Sequence, residues 1–172
     1  MIIVNTGNGK GKTTAALGAA LRAVGKSKKV LMIQFIKGPW KSGEDESAKL
    51  LFPHFELRKM GLGFVGILGD SLPRSEHEKA AEAALDMARN EIQKGVWDMV
   101  ILDEVNNALH LNLISKENLL ALIDLTPTTC HLILTGRDAH SDILARADLI
   151  TEMREVKHLY QEGVKAKRGV EY

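Results

Sequence analysis

Cysteine is nearly absent from this chain of 172 residues, with Cys130 standing alone. An intramolecular disulfide is excluded, as is a CxxC zinc framework, which fits a reducing compartment. The thiol lies in the apolar run Cys130-His131-Leu132-Ile133-Leu134 and reads as a buried structural side chain rather than a nucleophile. The six histidines are dispersed, and none forms an HxxxH or HExxH pair. No apolar run approaches the roughly 20 residues of a membrane-spanning helix, and Met1-Ile2-Ile3-Val4 is too short for a secretory signal. A cytoplasmic protein without a membrane partner is expected. Aromatic residues make up only 5% and proline occurs four times, against 45% apolar and 26% charged residues, so disordered, collagen-like and mucin-like classes are excluded. No Ser-His-Asp or Cys-His set stands out, no kinase HRD or DFG appears, and no basic and aromatic interleaving suggests stacking on nucleic-acid bases. No nucleic-acid partner is expected.

Acidic residues are missing from the first 43 positions, which hold eight Lys and Arg, whereas the remaining 129 residues carry a net charge of −7. The overall +1 conceals this asymmetry. A basic first quarter suits an anionic ligand near the N-terminus, a nucleic-acid groove or a solvated basic face, and charge alone does not choose among them. The length predicts one domain over residues 1–172.

Short apolar runs alternate with helical patterns along the chain. Strands are expected at Ile2–Val4, Lys29–Ile36, Phe55–Met60, Met99–Leu102, His131–Leu134 and Leu149–Met153. Helices are expected over Thr13–Val24, stopped by Gly25, and over Ser75–Lys94, stopped by Gly95. Two more are expected at Ser115–Ile123, with Ser115 as N-cap, and Ser141–Arg146. This βαβ alternation predicts an α/β protein whose mostly parallel sheet carries helices on both faces and binds ligands at the carboxyl ends of its strands. Lys37–Ser47 and Gly61–Pro73 read as long Gly-rich loops, the length at which loops are usually functional lids or binding loops, or else disordered.

The strongest motif is Thr6-Gly7-Asn8-Gly9-Lys10-Gly11-Lys12-Thr13-Thr14, between the first strand and the first helix. A phosphate-binding loop needs glycines so that backbone N–H groups can turn around an oxyanion, a lysine for phosphate oxygens, and a hydroxyl for magnesium. The helix beginning there adds its N-terminal dipole. Gly7-x-x-x-Gly11-Lys12-Thr13 is one residue shorter than the usual GxxxxGK[ST]. Val100-Ile101-Leu102-Asp103-Glu104 is an apolar strand ending in two acids, as in a Walker B strand. Its carboxylates are expected near Thr13 if that strand neighbours the first, holding Mg²⁺ directly or through water. The closing Lys165-Ala166-Lys167-Arg168 reads as surface or interface.

Taken together, several segments resemble the ATP:cob(I)alamin (corrinoid) adenosyltransferases of the CobA/CobO/BtuR type. They are the shortened loop TGNGKGKTTAALG, Gln34-Phe35-Ile36-Lys37-Gly38 with Trp40 and Gly43-Glu44, Met60 to Phe64, Leu102-Asp103-Glu104, Leu134-Thr135-Gly136-Arg137, Ala147-Asp148-Leu149, and the tail from Val156 to Tyr172. The resemblance implies a RecA-like P-loop NTPase fold, a homodimer, a cytoplasmic role in making adenosylcobalamin, and a flavoprotein reductase as a possible partner. It implies that the Co(I) of a reduced corrinoid attacks the 5′ carbon of ATP and triphosphate leaves, with the nucleotide reversed relative to ordinary P-loop enzymes.

On this resemblance Gly7, Asn8, Gly9, Lys10, Gly11, Lys12, Thr13 and Thr14 hold the triphosphate. Lys12 neutralises its charge, Thr13 and Glu104 ligate Mg²⁺ or Mn²⁺, and Arg22 and Arg137 are candidates either for further phosphate contacts or for ordinary surface pairing. Phe64 matches the aromatic that presses on the corrin's lower face, with Val65, Ile67 or Leu68 beside it and Gly61, Gly63, Gly66 and Gly69 letting the loop close. Gly66 stands where some members carry tryptophan, and the chain starts at its first strand, without the N-terminal extension of some members. Two rival readings stay open: a P-loop ATPase or kinase acting on the γ-phosphate, and a non-catalytic corrinoid- or nucleotide-binding module.

Overall fold

Residues 1–67, 69–158, 163, 167, 169 and 170 are described by the structure, a computed structural model. Leu68 of the Gly-rich loop, and Val164, Lys165, Ala166, Arg168, Glu171 and Tyr172 of the tail motif, lie outside the described residues. The apolar runs form β1 (Ile2–Thr6), β2 (Val30–Gln34), β3 (Phe55–Lys59), β4 (Met99–Asp103), β5 (His131–Thr135) and β6 (Leu149–Glu152). They make one six-stranded sheet in the order β3-β2-β4-β5-β1-β6. Every pairing is parallel, which explains strands that are apolar throughout. Successive side chains still divide between the faces: Leu31 and Ile33 join Val100, Leu102, Leu132 and Leu134 in one core layer, while Val30 and Met32 join Met99, Ile101 and Ile133 in the other.

The first layer is covered by α3 (Arg74–Gln93), α4 (Val105–His110), α5 (Lys116–Leu125) and α6 (Ser141–Leu144), and the second by α1 (Lys12–Val24) and α2 (Gly43–Leu51). Ser115 caps α5 as expected, its Oγ accepting the Asn118 N–H at 3.1 Å. Gly95, with φ +66°, ends α3 in the left-handed region. Gly25 instead remains right-handed, and the turn after α1 reverses at Ser27, with φ +56°. Cys130 is buried, and burial pushes its thiol up to about 11, as suits a structural side chain.

Two expectations are corrected. Residues 43–47 are not loop but the first turns of α2, because Ser42 and Asp45 form a capping box in which the Ser42 N–H donates to Asp45 Oδ2 at 2.7 Å. Glu44, Asp45 and Glu46 in that first turn also complement the helix dipole. The second is the condition placed on β4: it does not neighbour β1, since β5 lies between them, yet Asp103 is near Thr13 all the same.

The edge of the sheet is tied to α3 through Glu91, a carboxylate only 6% exposed. Arg58 Nη1 and Lys94 Nζ donate to its Oε1 at 2.8 and 2.7 Å, and Trp97 Nε1 donates to Oε2 at 2.8 Å. Burial alone would raise this carboxyl, but the three donors outweigh it and hold the group down to about 2. A carboxyl depressed in the folded state stabilises above its unfolded pKa, and that stability is lost as pH falls from about 4.5 toward 2. Glu91→Gln is expected to cost about 2–3 kcal/mol at pH 7. Urea unfolding at pH 7 and pH 3 checks this, the parent–variant gap narrowing at the lower pH.

Candidate functional site

The phosphate-loop segment follows β1 and opens α1 at the carboxyl edge of the sheet, where its backbone is packed from behind. The Gly9 N–H donates to Met153 O at 2.7 Å, and a Cβ on Gly9 would stand 2.6 Å from the Arg154 carbonyl carbon, so only glycine lets the chain after β6 approach this closely. Gly11, with φ +117°, turns the backbone into α1. Lys12 is part-buried rather than an exposed loop side chain, and its Nζ donates to Gly7 O at 2.6 Å and Gly9 O at 2.7 Å. Burial, and then the charge of Arg137, lower the Lys12 pKa against the pull of Glu104 and Asp138.

Thr13 reaches the Walker B acids across the intervening strand. Its Oγ1 donates to Asp103 Oδ1 at 2.8 Å, and Thr135 Oγ1, at the end of β5, donates to the same oxygen at 2.7 Å. Gln34 Nε2, from the other neighbour of β4, donates to Asp103 Oδ2 at 3.0 Å. Asp103 is fully buried and thus wholly engaged, so it ties the loop to three strands. Glu104 follows with φ +61°, a left-handed turn that ends β4 and starts α4, and its N–H donates to Thr135 Oγ1 at 2.9 Å. Burial, and then the charge of Asp103, push the Glu104 carboxyl up to about 7 against Lys37, Lys12 and Arg137.

A cleft of about 990 Å³ opens over these groups. Lys10, Gly11, Lys12, Thr13, Thr14, Glu104 and Arg137 line it, together with Phe64, Val65 and Ile67 of the Gly-rich loop. Gly7, Asn8 and Gly9 lie outside the lining, Gly7 and Gly9 being packed against Met153 and Arg154. Arg22 is exposed on α1 and is not part of the lining. Lys10 Nζ donates to Val170 O at 3.0 Å, which brings the tail to the rim. Phe64 is 47% exposed, so the core does not account for it.

The motifs do not single out a further ion pair in this cleft. Lys37 Nζ lies 2.6 Å from Glu44 Oε1, with both side chains largely withdrawn from water. Burial alone lowers the Lys37 pKa, but the bond to Glu44 more than offsets it and carries it above the ordinary lysine value. The spacing of seven residues hides the pair, because it closes a loop onto the first turn of α2. Asn107 and His110 also enter the lining from α4, a six-residue helix with too few turns to show a period.

The cleft thus combines cations and a helix start with apolar side chains, a set of groups suited to an anionic ligand that carries an apolar part. The family model for ATP:corrinoid adenosyltransferase BtuR/CobO/CobP matches residues 1–172. The chain belongs to this family. It is 42% identical over 173 residues to the corrinoid adenosyltransferase of Escherichia coli K12, covering 100% of this chain and 85% of that one. The corrinoid adenosyltransferase CobA of Salmonella typhimurium LT2 is 40% identical with the same coverage. That of Pseudomonas aeruginosa is 36% identical over 172 residues, covering 100% of this chain and 83% of that one. The protein is thus an ATP:corrinoid adenosyltransferase on a P-loop fold. Among the described residues no helix is long and apolar enough to cross a membrane.

The donors present also fit a divalent cation. Among the described residues no three His, Cys, Asp or Glu side chains gather into a cage. The Thr13 hydroxyl, oriented by Asp103, and the Glu104 carboxyl instead both line the cleft as hard oxygen donors, the kind that holds Mg²⁺ together with phosphate oxygens and water.

Proposed function

We propose that residues 1–172 act as one catalytic unit that transfers the 5′-deoxyadenosyl group of ATP to the Co(I) of a reduced corrinoid. Cobalt donates the electron pair of the new Co–C5′ bond and becomes Co(III), while the C5′–O bond breaks and triphosphate leaves with its own pair. Because the substrate's metal is the nucleophile, no serine, cysteine or general base is needed. The chain's work is to bind the leaving group, neutralise its growing charge and hold the two substrates in line.

The observation that carries this reading is that Lys12, Thr13 and Glu104 line the same cleft as the half-exposed Phe64. Backbone amides of the Gly7–Gly11 loop, with Asn8 and Thr14 beside them, surround the triphosphate, the Gly9 N–H excepted because Met153 O holds it. Lys12, helped by Lys10 and Arg137, balances its charge. Thr13 and Glu104 hold Mg²⁺ or Mn²⁺, which when bound shields the charge building on the phosphates. Phe64 covers the lower face of the corrin, so that an axial ligand is displaced and reduction of Co(II) becomes easier. The remaining parts of this reading rest on the likeness to the family alone: a homodimer in the cytoplasm, supplied with its electron by a flavoprotein reductase.

An anaerobic assay with ATP and chemically reduced cobalamin tests it. The expected result is the spectral change of Co–C bond formation with one intact triphosphate per adenosylated corrinoid. ADP and orthophosphate as products would support a phosphohydrolase or kinase instead, and stoichiometric binding without turnover would indicate a carrier or sensor.

A further inference from the structure

Phe64, which lines the cleft, has a second ring beside it that lies outside the lining. Trp40, from the loop between β2 and α2, has its ring centroid 5.9 Å from that of Phe64, with an interplanar angle of 32°. Both are left in water, Trp40 being 60% and Phe64 47% exposed, although aromatic residues are scarce in this chain and most large apolar side chains in its strands are buried.

This exposure is not looseness. A Cβ on Gly63 would stand 2.7 Å from the indole, and one on Gly38 would stand 2.9 Å from it, so the backbones of both loops are shaped around this ring. The Gly63 N–H donates to Ile36 O at 2.9 Å, tying the Phe64 loop to the Trp40 loop. Lys59 Nζ, at the end of β3, donates to Trp40 O at 2.7 Å and to Asp45 Oδ2 at 2.6 Å, which fixes the indole's own backbone to the sheet and to α2. Position 66 is glycine with nothing near its missing Cβ, so its own loop offers Phe64 no second ring there.

We propose that Trp40 is a positioning residue for the corrinoid, its indole holding the Phe64 ring so that the pair forms one rigid apolar shelf for the macrocycle. A preset shelf reduces the ordering that binding would otherwise require. The inference rests on the adenosyltransferase reading above.

The test uses Trp40→Ala and Trp40→Phe in the full chain. Equilibrium dialysis with cob(II)alamin in the presence of MgATP reads corrinoid affinity, and steady-state assays read the KM for corrinoid and for ATP separately. Trp40→Ala is expected to weaken cob(II)alamin binding and raise the corrinoid KM about five- to tenfold, the scale of one lost aromatic pair, with the KM for ATP changed less than about twofold. Trp40→Phe is expected to return the corrinoid values to within about twofold of the parent, since a second ring can still pack on Phe64. Unchanged corrinoid affinity in Trp40→Ala, an equal loss for ATP, or no rescue by phenylalanine would each overturn the shelf. If the unaltered chain forms no adenosylated corrinoid, the reading itself falls with it; if it turns over normally and Trp40→Ala binds like the parent, the shelf alone falls.

Discussion

Lys12→Ala should lower kcat/KM for adenosyl transfer by about a thousandfold or more, a loss of roughly 4 kcal/mol in transition-state stabilisation. Triphosphate gains negative charge as the C5′–O bond lengthens, and Lys12 is the cation at the start of α1, where the helix dipole adds its positive end. Without ligand, its ammonium is satisfied by Gly7 O and Gly9 O, at 2.6 and 2.7 Å. Alanine removes two charge-assisted hydrogen bonds from the loop as well as the cation, so stability should fall by about 1–2 kcal/mol while the fold persists. Arginine should not rescue turnover, because its broad planar guanidinium cannot replace a compact ammonium between those two carbonyls. Rates from Co–C bond formation, beside urea unfolding of each variant, make the check. A Lys12→Ala protein working within about tenfold of the parent would remove the lysine from the role assigned to it.

Much of this site is legible in the order of the residues because its chemistry is local. A strand, a glycine-rich turn and a helix start are contiguous, and a run of apolar residues ending in Asp103-Glu104 announces its own edge. The six strands are legible for a related reason, since a parallel strand buried on both faces is apolar along its whole length. What escapes is set by distance and by short-range capping. Ser42 and Asp45 convert a stretch with glycine and proline before it into α2, a decision made by two hydrogen bonds rather than by any period. α4 escapes because six residues are too few for a helical repeat and because Glu104 must first turn left-handed.

The place of β4 is the more instructive case. Paired motifs suggest adjacent strands, yet β5 separates β4 from β1, and Thr13 still reaches Asp103 directly, with Thr135 of β5 donating to the same carboxylate oxygen. Trp40 and Phe64 lie on separate loops, and nothing in the spacing of 24 positions marks them as neighbours. Of the glycines read as hinges for the Phe64 loop, Gly63 is needed where the indole leaves no room for a side chain, whereas Gly66 and Gly69 stand in open space with φ of +69° and +83°.

Asp103 allows charge and packing to be separated by two substitutions. Asp103→Ala leaves the fully buried donors of Gln34 and Thr135, and the part-buried Thr13 hydroxyl, without their acceptor, and should cost about 3–5 kcal/mol of stability. Asp103→Asn keeps the shape. Its carboxamide oxygen can still accept from both threonine hydroxyls, while its new NH₂ group would face the Gln34 amide nitrogen. Gln34 Oε1 is buried without a partner, so a flip of that amide turns the mismatch into a hydrogen bond. The asparagine variant should therefore unfold within about 1 kcal/mol of the parent. Its turnover should nevertheless fall by about a hundredfold, with a higher Mg²⁺ concentration needed for half-maximal rate, because the charge beside Thr13 and Glu104 is gone. A Mg²⁺ titration of both proteins at fixed ATP, run beside urea unfolding, reads the two effects independently. Loss of stability in Asp103→Asn equal to that in Asp103→Ala would show that the amide does not flip, and parent-like turnover at low Mg²⁺ would show that the cation does not depend on this charge.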